Sequence, residues 1–337
     1  MIEEPRIDGE DDLVREFLAP LAAGFEGALG LADDCAKFTP APGSDLVLKT
    51  DPVVAGVHFF PDDDPADIAW KALAVNVSDL AAKGAVPRVY LMALSLAEAP
   101  TRPWMAKFAA GLGEAQRAFG IHLAGGDTDR TPGHFSIAVT VIGEVPAGRM
   151  VRRAAARAGQ AIYVSGTLGD SALGLALRMD PALGARLELS ADDAAHIARR
   201  YLRPQPRLGL GAALRDYASA AMDLSDGLVK DLGRMCRASG VGARVETARL
   251  PLSPAMRGAI TVEPQLISAA IAAGDDYEIL ATVEPSVAAA FEAAAAAGGV
   301  AVTRIGEISP TAGVIVLGAD GAPISLARQG WDHFQQR

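Results

Sequence analysis

A chain of 337 residues, half of them hydrophobic and 21% charged, is long for one domain, comfortable for two, and too apolar for wholesale disorder. Its formal net charge of -10 argues against a general nucleic-acid or anionic-membrane binder, but leaves room for a polyphosphate ligand accompanied by metal ions. Cys35 and Cys236 have neither metal nor disulfide spacing, the acidic stretch Met1 to Asp12 lacks an apolar signal core, and no uncharged run is long enough to span a bilayer; a cytoplasmic protein is expected.

Leu46 to Asp51 reads as a strand and Gly56 to Phe60 as another. Asp64-Pro65 opens a helix, with Asp at the N-cap and Pro at the first helical position, and Gly84 ends it. Asn76 and Asp79, three apart, share a face of that helix. Arg88 to Leu96 reads as a nearly continuous apolar strand, Thr101 to Gly120 as a helix, Ile121 to Ala124 as a short strand and Phe135 to Val145 as a long one. The basic stretch Arg149, Arg152, Arg153 and Arg157 interrupts an acidic chain and marks a junction, dividing it into domains 1–148 and 149–337. Beyond it, strands are expected at 160–165, 220–223, 241–246, 278–283, 302–308 and 313–317, with helices at 171–179, 227–239, 264–273 and 286–297 and a hairpin turn at Asp320-Gly321. Together these give an α/β fold of the α+β type with two domains.

Six aspartate clusters end apolar runs. They are Asp33-Asp34, Asp51 after Lys49-Thr50, Asp79 after Val77-Ser78, Asp127 and Asp129 after Gly125-Gly126, Asp223 and Asp226 in Asp223-Leu-Ser-Asp-Gly-Leu228, and Asp275-Asp276 after Gly274. Carboxylates at such ends are costly unless cations meet them, and oxygen-only ligands favour magnesium over zinc. Neither a P-loop nor a dinucleotide-binding glycine motif is present, so any phosphate chemistry uses another scaffold.

Each cluster also has a plainer explanation. Gly125-Gly126-Asp127-Thr128 is either a ligand loop or a tight turn, and Ser225 and Asp226 either bind metal or cap a helix. Gly166-Thr-Leu-Gly-Asp-Ser171 offers amides for an anion or simple capping by Thr167 or Asp170. Asp79 either pairs with Lys83 at i+4 or faces inward with Asn76. His58 reads as a core or surface histidine on its own, Arg152 and Arg153 as phosphate partners or a solvated linker, and Trp331 as core cover or a stacking platform.

Taken in order, these stretches resemble the thiamine-monophosphate kinase family of the aminoimidazole-ribonucleotide-synthetase-like superfamily. The matching segments are Leu31-Ala-Asp-Asp-Cys-Ala36, Thr50-Asp-x-x-Val-Ala-Gly-Val-His-Phe59, Lys71 to Ala85, Gly125-Gly-Asp-Thr128, Gly166-Thr-x-Gly-Asp-Ser171, Met222-Asp-Leu-Ser-Asp-Gly-Leu228 and Gly274-x-Asp-Tyr-Glu278, spanning nearly the whole chain. The resemblance implies an N-terminal mixed sheet with helices forming a dimer interface, and a C-terminal α/β domain completing the active site of a homodimer. It implies transfer of the ATP γ-phosphate to thiamine monophosphate, with Asp34, Thr50, Asp51, Asp79, Asp127, Asp223 and Asp226 around several magnesium ions. Asp51, Asp127 and Asp223 would be catalytic, Gly126, Asp127, Arg153 and Ser225 would touch ATP, and His58, Asp275 and Trp331 would lie near the thiamine substrate. Ala32, Lys49, Ala273 and Asp275 depart from the pattern, where a glycine, a small hydroxyl residue, a glycine and a glutamate are usual.

The chemistry fits the residues. An acceptor phosphate with a second pKa near ~6 is already an anion at neutral pH and needs no general base, so direct in-line transfer between metal-bridged phosphates is expected. The alternatives are another ATP-dependent enzyme of the same superfamily and a non-catalytic, acid-rich metal binder.

Overall fold

The computed structural model describes residues 4–326 together with Gly330 and Trp331. It divides into two compact units, Met1–Leu80 with Ala85–Gly148, and Ala81–Gly84 with Arg149–Arg337.

The first unit carries β1 (Ser44–Val54), α1 (Pro65–Ala82), β2 (Val86–Leu96), α2 (Arg102–Phe119), β3 (His122–Arg130) and β4 (Ser136–Pro146), preceded by short helical turns from Glu10 to Ala22. The sheet order is β1-β4-β2-β3. β4 is antiparallel to both β1 and β2, whereas β2 and β3 are parallel and joined through α2, as a parallel crossover requires. Alternation along β1 buries Val47 and Val53 and leaves Leu46 and Leu48 exposed, so one face of the sheet is covered and the other is open. Asp64 Oδ1 accepts the Ala66 N–H at 2.9 Å, capping α1 as its sequence predicts. Gly111 lets α2 approach α1, since a Cβ there would lie 2.3 Å from Ala66 O.

Two expected elements differ. Gly56 to Phe60 is a turn: Val57 and His58 both donate to Val54 O, and Gly56 adopts a left-handed φ of 79°. The strand expected at Ile121–Ala124 instead runs to Arg130, carrying Gly125 to Thr128 within it, because close packing on β2 suits glycine: a Cβ on Gly126 would lie 1.8 Å from Met92 O.

The second unit carries β5 (Ala161–Ser165), α3 (Asp170–Met179), α4 (Ala191–Leu202), α5 (Gly211–Tyr217), β6 (Ala218–Asp223), α6 (Leu228–Ser239), β7 (Gly242–Glu246), α7 (Pro254–Val262), α8 (Leu266–Ala272), β8 (Ile279–Val283), α9 (Ala288–Ala297), β9 (Val302–Ser309) and β10 (Gly313–Leu317). Its sheet order is β10-β7-β9-β5-β8-β6, antiparallel except for the β10–β7 pair. Both faces are covered. Ile162 and Val164 join a core with Met222, Leu232 and Ile305, while Ala161 and Tyr163 join another with Leu214, Ile279 and Phe291. That double burial explains why β5 and β8 read as unbroken apolar runs. Helices α4, α5 and α7 fall outside the elements expected from sequence.

Candidate functional site

In the first unit, the carboxylates of Asp51 and Asp79 are brought together by a lysine. Lys49 and Asp51 are two apart on β1 and project to the covered face, over which the polar side of α1 lies. Lys49 Nζ stands 3.0 Å from Asp51 Oδ2 and 3.0 Å from Asp79 Oδ2. Burial disfavours the lysine charge, but the fields and hydrogen bonds of Asp79 and Asp51 outweigh it and hold the ammonium above its usual pKa. The carboxylate of Asp79 therefore faces inward, as its spacing from Asn76 allowed. The fully buried Asn76 fixes the Asp51 backbone: its Oδ1 accepts the Asp51 N–H at 2.7 Å and its Nδ2 donates to Asp51 O at 3.2 Å and Ala72 O at 3.1 Å.

Thr50 faces the open side of the sheet, where its hydroxyl donates to Val139 O and accepts from Thr140 Oγ1 at 3.0 Å. Asp127 lies on the edge strand β3 and accepts its neighbour Thr128's N–H at 2.9 Å. Asp51, Val139, Met92 and Gly126 form one row across the sheet, so three interstrand spacings of roughly 4.8 Å separate the main chains of Asp51 and Gly126. Asp34 is exposed in the bend before β1. His58 Nδ1 accepts the Val54 N–H at 3.0 Å, which places the proton of the neutral ring on Nε2.

In the second unit, the loop between β6 and α6 is held from both sides. Asp223 is buried at the end of β6. Asp231, wholly buried in the first turn of α6, accepts the N–H groups of Ser225 (3.1 Å) and Asp226 (2.9 Å) and pairs with Arg234 at 2.7 Å. Burial pushes the Asp231 carboxyl up, against the pull of the Asp226 N–H and of Arg234. Opposite, Asp275 donates its N–H to Ser225 O and Tyr277 to Leu224 O, each at 2.9 Å. Gly274 permits this approach, as a Cβ would lie 2.3 Å from Ser225 O. Asp275 itself takes a left-handed φ of 71°, which aspartate tolerates better than most side chains.

The Asp226 carboxylate meets Arg234 at 2.6 Å and Lys230 at 3.4 Å. Trp331 donates its N–H to Asp226 O at 3.0 Å and receives Lys230 Nζ at its carbonyl, so its backbone is tied to the same loop. Arg153 has an exposed side chain, its carbonyl held by Ser239 Oγ at 3.3 Å.

The glycine turn before α3 does not keep its amides free. Gly166 and Leu168 donate to backbone carbonyls, and Gly169 N–H goes to both oxygens of buried Asp276, at 3.1 and 3.0 Å. Thr167 Oγ1 donates to Asp170 Oδ2 at 2.6 Å, a bond between two side chains; the N-cap of α3 is Gly169, with no side-chain cap, so the expected capping by Thr167 or Asp170 is not what the turn shows. Close by, Glu278 is fully buried and accepts from Ser165 Oγ, Arg200 Nη2 (2.8 Å) and Arg207 Nε (2.7 Å).

Sequence reasoning did not single out Asp231, Arg234, Arg200 or Arg207, and it named Glu278 only as the end of the segment Gly274-x-Asp-Tyr-Glu278. An acid in the first turn of α6 with arginine three residues on was a signal for the first two. Residues 71 to 78 positions apart left no local trace of the others. The donor set at Asp51 and Asp79 is oxygen-only and suits a hard divalent cation, but Lys49 Nζ already lies between the two carboxylates. Among the described residues, no three carboxylate, histidine or cysteine side chains gather as a ready metal cluster.

The sequence matches the AIR synthase related protein, N-terminal domain, over residues 32–145, and the AIR synthase related protein, C-terminal domain, over 157–318. The thiamine-monophosphate kinase of Salmonella typhimurium is 44% identical over 328 residues, covering 97% of this chain and 98% of its own. The crystal structure of thiamine-monophosphate kinase from Stenotrophomonas maltophilia aligns with a TM-score of 0.79 at 40% identity, over 87% of this chain and 91% of that one. AaThiL complexed with AMPPCP and TMP aligns with a TM-score of 0.76 at 32% identity, over 90% and 91%.

Proposed function

The chain belongs to the AIR synthase related proteins and, within them, to the thiamine-monophosphate kinases, and from that premise we propose that its carboxylate clusters serve magnesium-dependent, direct in-line transfer of the ATP γ-phosphate to thiamine monophosphate. It is an ATP-dependent kinase whose acceptor is itself a phosphate, giving thiamine diphosphate and ADP. The observation that carries this reading is that the likeness runs through both units at nearly full length rather than through one motif.

The acceptor phosphate needs no general base, because it is largely ionised at neutral pH with a pKa near ~6. The protein's task is to hold two polyanions together. We assign Asp34, Thr50, Asp51, Asp79 and Asp127 in the first unit, and Asp223 and Asp226 in the second, to hold magnesium that arrives with the nucleotide, Asp51 and Asp79 through the carboxylate oxygens that Lys49 does not meet, with Asp51, Asp127 and Asp223 closest to the chemistry. Magnesium, when bound, supplies charge neutralisation and alignment of the phosphoryl oxygens. Gly126, Asp127, Arg153 and Ser225 are assigned to ATP, and His58, Asp275 and Trp331 to the thiamine substrate. Two features support this: Asn76 fixes the Asp51 backbone, and Asp231 with the Asp275 segment fixes the loop carrying Ser225.

We further propose a homodimer joined through the open face of the N-terminal sheet, supported by Leu48 at 63% and Val86 at 48% exposure on that face. A cytoplasmic location is supported by two free cysteines, Cys35 exposed and Cys236 buried. No helix among the described residues is long and apolar enough to cross a membrane.

The test is formation of thiamine diphosphate from ATP and thiamine monophosphate with magnesium present. Asp51→Ala and Asp223→Ala should each lose about a hundredfold or more of kcat, the scale of removing one preorganised charge-stabilising group. No product from the native protein would overturn the acceptor assignment. A chiral γ-phosphate should be inverted; retention would overturn direct transfer.

A further inference from the structure

The ammonium of Lys49 occupies the position from which a single cation bridges Asp51 and Asp79. It is 3.0 Å from an oxygen of each, so those two oxygens are separated by no more than twice that distance. A carboxylate pair spaced in this way repels itself unless a positive charge lies between, and a small divalent ion bound to both oxygens at about 2.1 Å would need the same spot. Lysine and metal are therefore mutually exclusive there. The lysine is also well placed to stay. It leaves β1 on the same face as Asp51, meets a carboxylate oxygen of each acid, and its side chain is only one third exposed.

We infer that Lys49 is a positioning residue that substitutes for a divalent ion at the Asp51–Asp79 pair, so that this pair is held together without recruiting a metal of its own. The inference rests on the kinase reading only for its consequence, which is that the nucleotide's own magnesium meets a site already carrying a tethered positive charge. One covalently attached charge costs no association entropy and does not dissociate at low free magnesium, whereas a second metal must be bound anew. The pair keeps a net single negative charge beside the lysine, half of what two bare carboxylates would present to a free divalent ion.

The experiment counts divalent ions on the full chain without nucleotide or thiamine monophosphate. Mn2+ is titrated and the free ion is followed by its electron paramagnetic resonance signal. Lys49→Ser and Lys49→Gln should each bind one more Mn2+ per chain than the native protein, or bind at about tenfold lower concentration, equivalent to about 1.4 kcal/mol. Lys49→Arg, which keeps the charge, should match the native count, and adding Asp79→Asn to Lys49→Ser should abolish the gained site. Magnesium should raise the melting temperature of Lys49→Ser more than that of the native protein. Equal counts and affinities in native and neutral variants would overturn the inference, as would a gained site that survives Asp79→Asn. If Lys49→Ser does not fold, Lys49→Gln, of nearly the same length, carries the comparison. The ion count is independent of catalysis: a native protein that makes no thiamine diphosphate would sink the kinase reading while leaving the Lys49 result intact.

Discussion

Asn76 and Asp51 are joined by a pair of hydrogen bonds in which a side-chain amide takes the place of a neighbouring strand: the Asp51 N–H donates to Asn76 Oδ1 and the Asp51 carbonyl accepts from Asn76 Nδ2. Among the described residues β1 is an edge strand, bonded to β4 alone, so its outward backbone groups at Asp51 need partners from elsewhere. The amide supplies both from a residue with no exposed surface, three positions before Asp79. Asn76→Leu should strand both groups and cost about 1–3 kcal/mol. Thermal unfolding checks that cost. If the pair positions Asp51, kcat measured well below the melting temperature should also fall by at least about tenfold. Unchanged kcat with a lowered melting temperature would confine Asn76 to stability.

A second prediction concerns Asp231, which has no assigned contact with substrate. Its carboxylate accepts the N–H groups of Ser225 and Asp226 and an Arg234 nitrogen, anchoring the loop that follows Asp223. Asp231→Ala leaves these donors without that acceptor and should destabilise the protein by about 2 kcal/mol or more. Asp231→Asn keeps one acceptor oxygen and should be milder on stability, yet still raise the KM for ATP if the loop presents Ser225 to the nucleotide. The two variants separate the roles. A KM for ATP that stays native in both would leave Asp231 a loop anchor and no more.

What the sequence made legible was local. The Asp64-Pro65 start of α1, the shared face of Asn76 and Asp79, the strand ending at Asp223 and the unbroken runs of β5 and β8 follow from spacing and capping within one element. What stayed hidden was the identity of partners. Asp79 had a cation four residues away in Lys83, whereas the ion pair seen is with Lys49, thirty residues earlier on a strand. The glycine turn at Gly166 left an anion site open beside simple capping because nothing in its own sequence reveals that Asp276 takes the Gly169 amide. Gly125-Gly126 resembled the end of a strand because glycine is uncommon inside one. Its place on an edge strand, tight against Met92, could be read only from the packing.

A third prediction follows from Glu278, a buried acid held by Arg200 and Arg207. Removing its charge while leaving the two guanidiniums should cost about 3–5 kcal/mol, since breaking a buried ion pair strands the remaining charge. Glu278→Gln should therefore unfold at markedly lower temperature, and Glu278→Leu lower still. The same carboxylate explains residue 166. A Cβ on Gly166 would lie 2.2 Å from Glu278 Oε1, and its φ of 56° already disfavours a side chain. Gly166→Ala should thus reproduce much of the Glu278→Gln defect, and the two should be strongly sub-additive in a double-mutant cycle. Full additivity would show that the glycine serves something other than space for Glu278.

The last prediction is a pH dependence with a definite sign. Burial pushes the Asp276 carboxyl up to about 8 from an ordinary 3.8; the Gly169 N–H and Arg200 oppose the rise, while Glu278 and Asp170 add to it. A group whose folded pKa is raised binds its proton more tightly in the folded state, so its contribution to stability is complete below its unfolded pKa. That contribution declines as pH rises from about 4 and is exhausted once pH passes about 8. Within that window the slope attributable to Asp276 approaches about 1.4 kcal/mol per pH unit. Asp276→Asn keeps an acceptor oxygen for Gly169 N–H but has no proton to lose. Denaturant unfolding at several pH values between 5 and 9 should show the native protein losing stability relative to Asp276→Asn as pH rises, with the gap constant beyond the upper limit. Parallel profiles across the range would mean that Asp276 stays ionised in the folded protein, held so by Arg200 and the Gly169 amide, and that the energetic burden of the α3 turn lies elsewhere.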